Sequence, residues 1–111
     1  MYEKTIDTGS EAWVPLDFPG VSMKILQQQP NGGMTVLTRI EPGAVIPEHK
    51  HTHAAETVFV CEGDFIEDGI TYTAGTFFAD PKGHFHGPHS TTNGCTVLTT
   101  FSAELDFILE D

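Results

Sequence analysis

Apolar positions along this chain come in short blocks divided by turn formers. Val21–Gln28 and Met34–Ile40 read as strands, the second through the alternating, largely β-branched run Thr35, Val36, Leu37 and Thr38. Between them Pro30, Asn31, Gly32 and Gly33 predict a tight turn and hence a hairpin, because Asn-Gly and Gly-Gly accept positive φ at little cost. Residues 45–51 read as extended, and residues 57–61, Thr-Val-Phe-Val-Cys, as a strong strand. Further short strands are predicted at 65–66, 70–73, 76–79, 84–86 and 96–101. Turns are expected at Glu41-Pro42-Gly43, Glu62-Gly63-Asp64, Glu67-Asp68-Gly69 and Pro81-Lys82-Gly83. The acidic tail, residues 103–111, is the one stretch compatible with a short helix.

Short strands with a turn signal at roughly 8–12-residue spacing predict an all-β sandwich or barrel. No stretch has the length and 3.6-residue period of a core helix, which argues against βαβ units. With 111 residues, 39% hydrophobic and 19% charged, the expectation is one globular domain over 1–111 that folds without disulfides. Eleven glycines and seven prolines are spread through the chain as turn punctuation and are not gathered into a linker.

Charge narrows the partners. Five Lys plus Arg against sixteen Asp plus Glu give a formal charge of −11, which disfavours nucleic acid and anionic membrane surfaces. The N-terminus holds Glu3, Lys4 and Asp7 with no apolar core of a signal peptide, and no apolar run approaches the roughly 20 residues of a membrane span. Cys61 and Cys95 form no C-x-x-C pair. The expectation is a cytoplasmic protein with two reduced thiols buried on strands.

Candidate chemistry concentrates in histidines. His49 and His51 lie two apart on an extended segment, so they share a face, with Cα atoms about 6.6–7 Å apart. Glu56 opens the next strand, and His86 follows thirty residues later, just after a Pro-Lys-Gly turn. Neutral imidazoles with one carboxylate suit Fe, Mn, Ni, Cu or Zn. The residues alone leave a second reading open, in which His-Lys-His-Thr-His is a solvated, His-rich loop. His53 shares the parity of His49 and His51 but is expected beside the site or exposed. His84 and His89 are expected to be exposed or simply hydrogen-bonded. Val58 and Val60 should face inward with Glu56, and Phe59 and Cys61 outward. Phe77, Phe78 and Phe85 are candidates for core packing, with one or two lining an apolar pocket. Arg39 and Tyr72 are candidate substrate-orienting groups, with a surface or edge role as the expected reading.

The spacing Gly43-x5-His49-x-His51-x4-Glu56-x6-Gly63 resembles the first motif of the cupin superfamily, and Gly75-x5-Pro81-x-Gly83-x2-His86 resembles the second. Ser90 stands where the second motif usually ends in Asn. The resemblance implies a cupin double-stranded β-helix, or jelly-roll barrel, with a metal-binding core over about 34–101. It also implies one divalent ion bound by His49, His51, Glu56 and His86. Within the superfamily, the chain is similar to the group containing acetylacetone dioxygenase, dihydroxyacetophenone dioxygenase and the ChrR cupin domain. That group implies Fe(II) first, with Ni, Mn, Zn or Cu as alternatives, and dioxygen-dependent C–C cleavage of a small ketone or diketone. A non-enzymatic metal- or ligand-sensing module, or an isomerase or lyase acting on a small hydroxy acid or sugar, are the alternatives. A small-molecule substrate and a homodimer built on exposed strand edges are expected.

Overall fold

The computed structural model describes residues 1–109, and its elements are almost all strands. In chain order these are β1 (Val14–Pro15), β2 (Val21–Gln28), β3 (Met34–Ile40), β4 (Val45–Ile46), β5 (His49–Lys50), β6 (Glu56–Glu67), β7 (Ile70–Thr73), β8 (Phe77–Asp80), β9 (His89–Ser90), β10 (Cys95–Phe101) and β11 (Ile108–Leu109). Among the described residues the only helical turn is the 3-10 turn Thr8–Ser10, capped by the Asp7 side chain. The sheet is antiparallel and runs β1-β2-β3-β10-β6-β9-β4, with β7 and β8 also paired to β6 and a separate β11–β5 pair. This curled, all-β arrangement is the jelly-roll class expected from the turn spacing.

The hairpin β2–β3 closes where Asn-Gly-Gly predicted it. Gln29 N donates to Gly33 O at 2.7 Å, and Asn31 Oδ1 accepts from Gly33 N at 2.9 Å. Alternation then sorts the side chains. Val58 and Val60 are 4% and 0% exposed, whereas Phe59 is 40% exposed and Cys61 is at the surface. One core cluster joins Val21, Ile40, Val58, Val60, Phe65, Cys95 and Val97; a second joins Val36, Ala54 and Phe101.

Four local expectations are corrected. Glu62-Gly63-Asp64 does not end a strand, because β6 continues through it with a register shift against β10. The first half of β6 therefore pairs β10 and β8, the second half β7 and β9, so one strand serves both layers. Residues 84–86 form no strand; His86 makes an isolated bridge with His49. The tail is not helical over its described residues: Ile108 and Leu109 pair with Lys50 and His49. Finally, only Cys95 of the two free thiols is buried; Cys61 is exposed, since outward parity on β6 carries it away from the core.

Gly63 shows how little room the shift leaves. It has φ 82°, and a Cβ there would lie 1.9 Å from Gly94 O and 2.7 Å from Cys95 Cα. Asp64 beside it accepts from the backbone N–H groups of Thr92 and Asn93 at 2.8 and 2.9 Å, tying the β9–β10 connection to the bend. Gly43 has the same φ of 82° but nothing within 4 Å of its would-be Cβ. Gly43→Ala should therefore cost only the left-handed strain, about 1 kcal/mol, and Gly63→Ala more than about 3 kcal/mol because backbone must also move. Denaturant unfolding of the two variants separates them; equal losses would contradict the close approach.

Candidate metal centre

β5 and the loop after it carry His49 and His51, which are 4% and 5% exposed although they flank half-buried Lys50. The Lys50 ammonium turns the other way and lies over the Phe85 ring. Glu56 opens β6 as expected and is also buried. His86 reaches the same place through backbone: His49 N donates to His86 O at 2.9 Å and His86 N to His49 O at 2.8 Å. The structure thus brings together all four residues singled out in the sequence.

Their orientation is set from behind. His49 Nδ1 lies 2.7 Å from Pro47 O, His51 Nδ1 2.6 Å from Asp106 O, and His86 Nδ1 2.9 Å from Asp80 Oδ2. A carbonyl or carboxylate oxygen only accepts, so each Nδ1 carries the hydrogen, and each Nε2 is left with a lone pair. His51 Nε2 and His86 Nε2 each lie 3.4 Å from Glu56 Oε1. Glu56 Oε1 and His86 Nε2 are buried without a hydrogen-bond partner. One ligand nitrogen from each of His49, His51 and His86 falls within 4.8 Å of the others.

These donors fit a divalent ion. Ligand atoms about 2.1 Å from one ion stand roughly 3.0–3.4 Å apart, which matches the separations at Glu56. A buried carboxylate oxygen and a buried imidazole nitrogen with no partner are costly unless something fills the gap between them. Imidazole and carboxylate together are the donor chemistry of first-row transition metals.

Burial pulls the His49 pKa down to about 3, against the opposing hydrogen bond to Pro47 O and reinforced by the neighbouring imidazoles. Burial also lowers His86, with the Glu56 carboxylate pulling the other way. For His51 burial is outweighed by the contacts with Glu56 and the Asp106 carbonyl, and its pKa is raised.

The centre lies on the wall of a cavity of about 630 Å³, lined mostly by apolar groups such as Phe18, Met34, Ile40, Val58, Phe65, Phe101 and Phe107. Among its described lining residues none is Lys or Arg.

Residues 1–103 match the family described as the ChrR cupin-like domain. The chain belongs to this family. Its fold is shared by solved cupins. KdgF from a Halomonas species overlays with a TM-score of 0.81 at 24% identity, covering 95% of this chain and 97% of that one. Acetylacetone dioxygenase from Acinetobacter johnsonii gives 0.72 at 17% identity, covering 91% and 73%. A chain from the complex of Rhodobacter sphaeroides SigE with the anti-sigma ChrR gives 0.70 at 22% identity, covering 85% of this chain and half of that one, 50%. Among curated proteins nothing matches. No helix among the described residues is long and apolar enough to cross a membrane.

The flanking residues meet expectation in part. His53 and His84 are exposed, as foreseen. His89 is not a surface imidazole: it is 5% exposed, lines the cavity and has Nδ1 3.2 Å from Glu67 Oε1. Arg39 stacks on Trp13 and Tyr72 packs on Phe78, so neither lines the cavity. Phe77, Phe78 and Phe85 do not line it either; Phe77 points outward with 63% exposure. The walls instead draw on Leu16, Phe18, Leu105 and Phe107, outside the expected core of 34–101. Phe107 stacks on His49 with ring centroids 4.0 Å apart. The alternation of a strand could not flag Phe107, because it lies in the irregular tail.

The titration of the cluster has a consequence for metal-free protein. As pH falls below 6.5 the unfolded chain protonates His49 and His86, while in the folded chain both resist. Protons then favour unfolding, and His51 opposes this only in part. The melting temperature should drop by more than about 4 °C between pH 6.5 and 4.5, with carboxylates such as Glu67 adding to the loss toward the lower end, and H49Q should flatten the upper part of that slope. Calorimetry of metal-free protein checks this; an unchanged slope in H49Q would remove His49 as its source.

Proposed function

We propose that this cupin binds one divalent metal ion through His49, His51, Glu56 and His86 and acts as an oxygenase on a small, uncharged ketone or β-diketone. The observation that carries the reading is the convergence of three imidazoles and Glu56 beside an apolar cavity without lysine or arginine among its described lining residues, a cavity that His49, His51 and Glu56 line directly. A bound Fe(II) ion would supply Lewis-acid polarisation of a ketone oxygen and a place for dioxygen. The chain's own residues would do the rest. Pro47 O, Asp106 O and Asp80 hold the three rings by Nδ1 so that Nε2 faces inward. The apolar walls, including Phe101 and Phe107, exclude water and favour a compact apolar substrate body.

Sugar acids and hydroxy acids fit poorly, since a buried carboxylate wants a cation beside it. That argument weighs against the hydroxy-acid form of the isomerase or lyase alternative. Membership of the ChrR cupin-like family favours a second reading, in which the same cavity binds metal and ligand without turnover and reports to a partner protein.

Protein prepared without nickel affinity and loaded with Fe(II) anaerobically should consume dioxygen when given acetylacetone and should not with a hydroxy acid. H86A should bind metal at least about tenfold more weakly and lose that uptake. No uptake across a panel of diketones, with metal bound normally, would reject the oxygenase and leave the sensing module. Normal metal content in H86A would remove His86 from the ligand set.

A further inference from the structure

His89 is a buried, polar cavity residue that the ligand set leaves unused. It sits on β9, paired with Ile46 across the sheet, and its ring is packed on three sides. Phe65 lies at 4.8 Å between centroids, His86 at 5.0 Å and His49 at 5.6 Å. Its nitrogens are not among the mutually close set formed by His49, His51 and His86. From behind, Glu67 Oε1 lies 3.2 Å from His89 Nδ1, and Glu67 Oε2 accepts from Gly87 N at 3.0 Å.

Glu67 is held as a carboxylate, its pKa drawn down to about 2 by the His89 ring and the Gly87 N–H against the cost of burial. Nδ1 faces the Glu67 carboxylate at ion-pair distance without the alignment of a hydrogen bond, and since a carboxylate only accepts, that contact favours the hydrogen on Nδ1 and the lone pair on Nε2. That nitrogen is the ring's remaining polar atom, and the ring lines the cavity. In a cavity lined mainly by hydrocarbon, one fixed acceptor beside the metal-site histidines discriminates among ligands, because a missing partner costs more inside than in water.

We propose that His89, positioned by Glu67, is the substrate-contacting residue that accepts a hydrogen bond from the hydroxyl of an enolised ketone in this cavity. The inference deepens the ketone reading above and rests on it. The residue would select for substrates that can present an enol or hydroxyl next to their carbonyl, over equally sized ketones that cannot. Glu67 is a positioning residue: it fixes the ring's tautomer and angle without lining the cavity itself.

Two probes separate a hydrogen bond from mere shape. Acetylacetone carries an enol hydroxyl; 3,3-dimethylpentane-2,4-dione has the same two carbonyls and cannot enolise. Binding of each to the Zn(II)-loaded full chain, which cannot turn over, is measured by titration calorimetry. H89F, which keeps a ring and loses the nitrogens, should weaken acetylacetone about tenfold and leave the dimethyl analogue within about twofold. H89N, which retains a side-chain acceptor, should recover part of the loss. E67Q should weaken acetylacetone severalfold with metal content unchanged.

Equal loss of both probes in H89F would overturn the proposal in favour of packing. Loss of zinc from H89F would overturn it by making His89 a ligand. If the wild type binds acetylacetone with the expected His89 dependence but takes up no dioxygen with iron, the oxygenase reading falls and the His89 contact stands. If the wild type binds neither probe, both fall.

Discussion

Four polar side chains, three of them on the wall of an apolar cavity, are buried against one another, and this burial governs how the surrounding chain is arranged. Each imidazole must give up water on both nitrogens. On the Nδ1 side the fold replaces that water directly, with Pro47 O, Asp106 O and Asp80. On the Nε2 side it does not, and Glu56 Oε1 and His86 Nε2 have no hydrogen-bond partner. Satisfying one face and leaving the other bare is what a binding centre requires and what a merely structural histidine cluster would avoid. The depressed pKa values of His49 and His86 express the same fact in protons: the bare face tolerates a lone pair far better than a second N–H.

The scaffold meets this demand with a few rigid devices. β6 runs through both layers, so Glu56 at its start and Glu67 at its end come from one continuous strand. Glu56 faces His51 and His86, and Glu67 faces His89. The bend that allows this is at Gly63, where the backbone of Gly94 presses so close that no side chain fits. The tail closes the opposite side. Asp106 contacts the His51 ring through its carbonyl and the Thr52 N–H through its carboxylate, while Phe107 covers His49. A segment with little secondary structure is therefore held by the very histidines it shields.

Motif spacing marked His49, His51, Glu56 and His86 as a set that the fold gathers, because they lie on or beside turns whose glycines and prolines fix the local path. Strand alternation likewise placed Val58 and Val60 inside and Phe59 outside. The errors share one cause. Glu62-Gly63-Asp64 looks like a turn because its composition is that of a turn, and only the pairing of β10, which skips Cys61 and resumes at Glu62 and Gly63, carries the strand through it. Phe107 and Leu105 reach the cavity, and Phe77 does not, for reasons of chain path that no local pattern encodes. Which of its two expected fates His89 takes, exposed or bonded, was hidden for the same reason. Its partner Glu67 is twenty-two residues away in sequence, and a buried pair of that kind is invisible until the sheet closes.

The contrast between surface and interior narrows what the cavity can host. The chain carries a net charge of −11, yet the described cavity wall is mostly hydrocarbon and has no cation. An acidic exterior slows the approach of anions, and a wall without lysine or arginine gives a bound anion no protein counter-charge. With the proposed ligand set, three neutral imidazoles and one carboxylate around a divalent ion leave a local charge of about +1. Such a site favours a molecule that arrives neutral and becomes anionic only at the centre, which is how an enolisable ketone behaves. The acidity and the apolar walls then stop looking like separate properties, because each penalises a permanently charged ligand and neither penalises one whose charge develops inside.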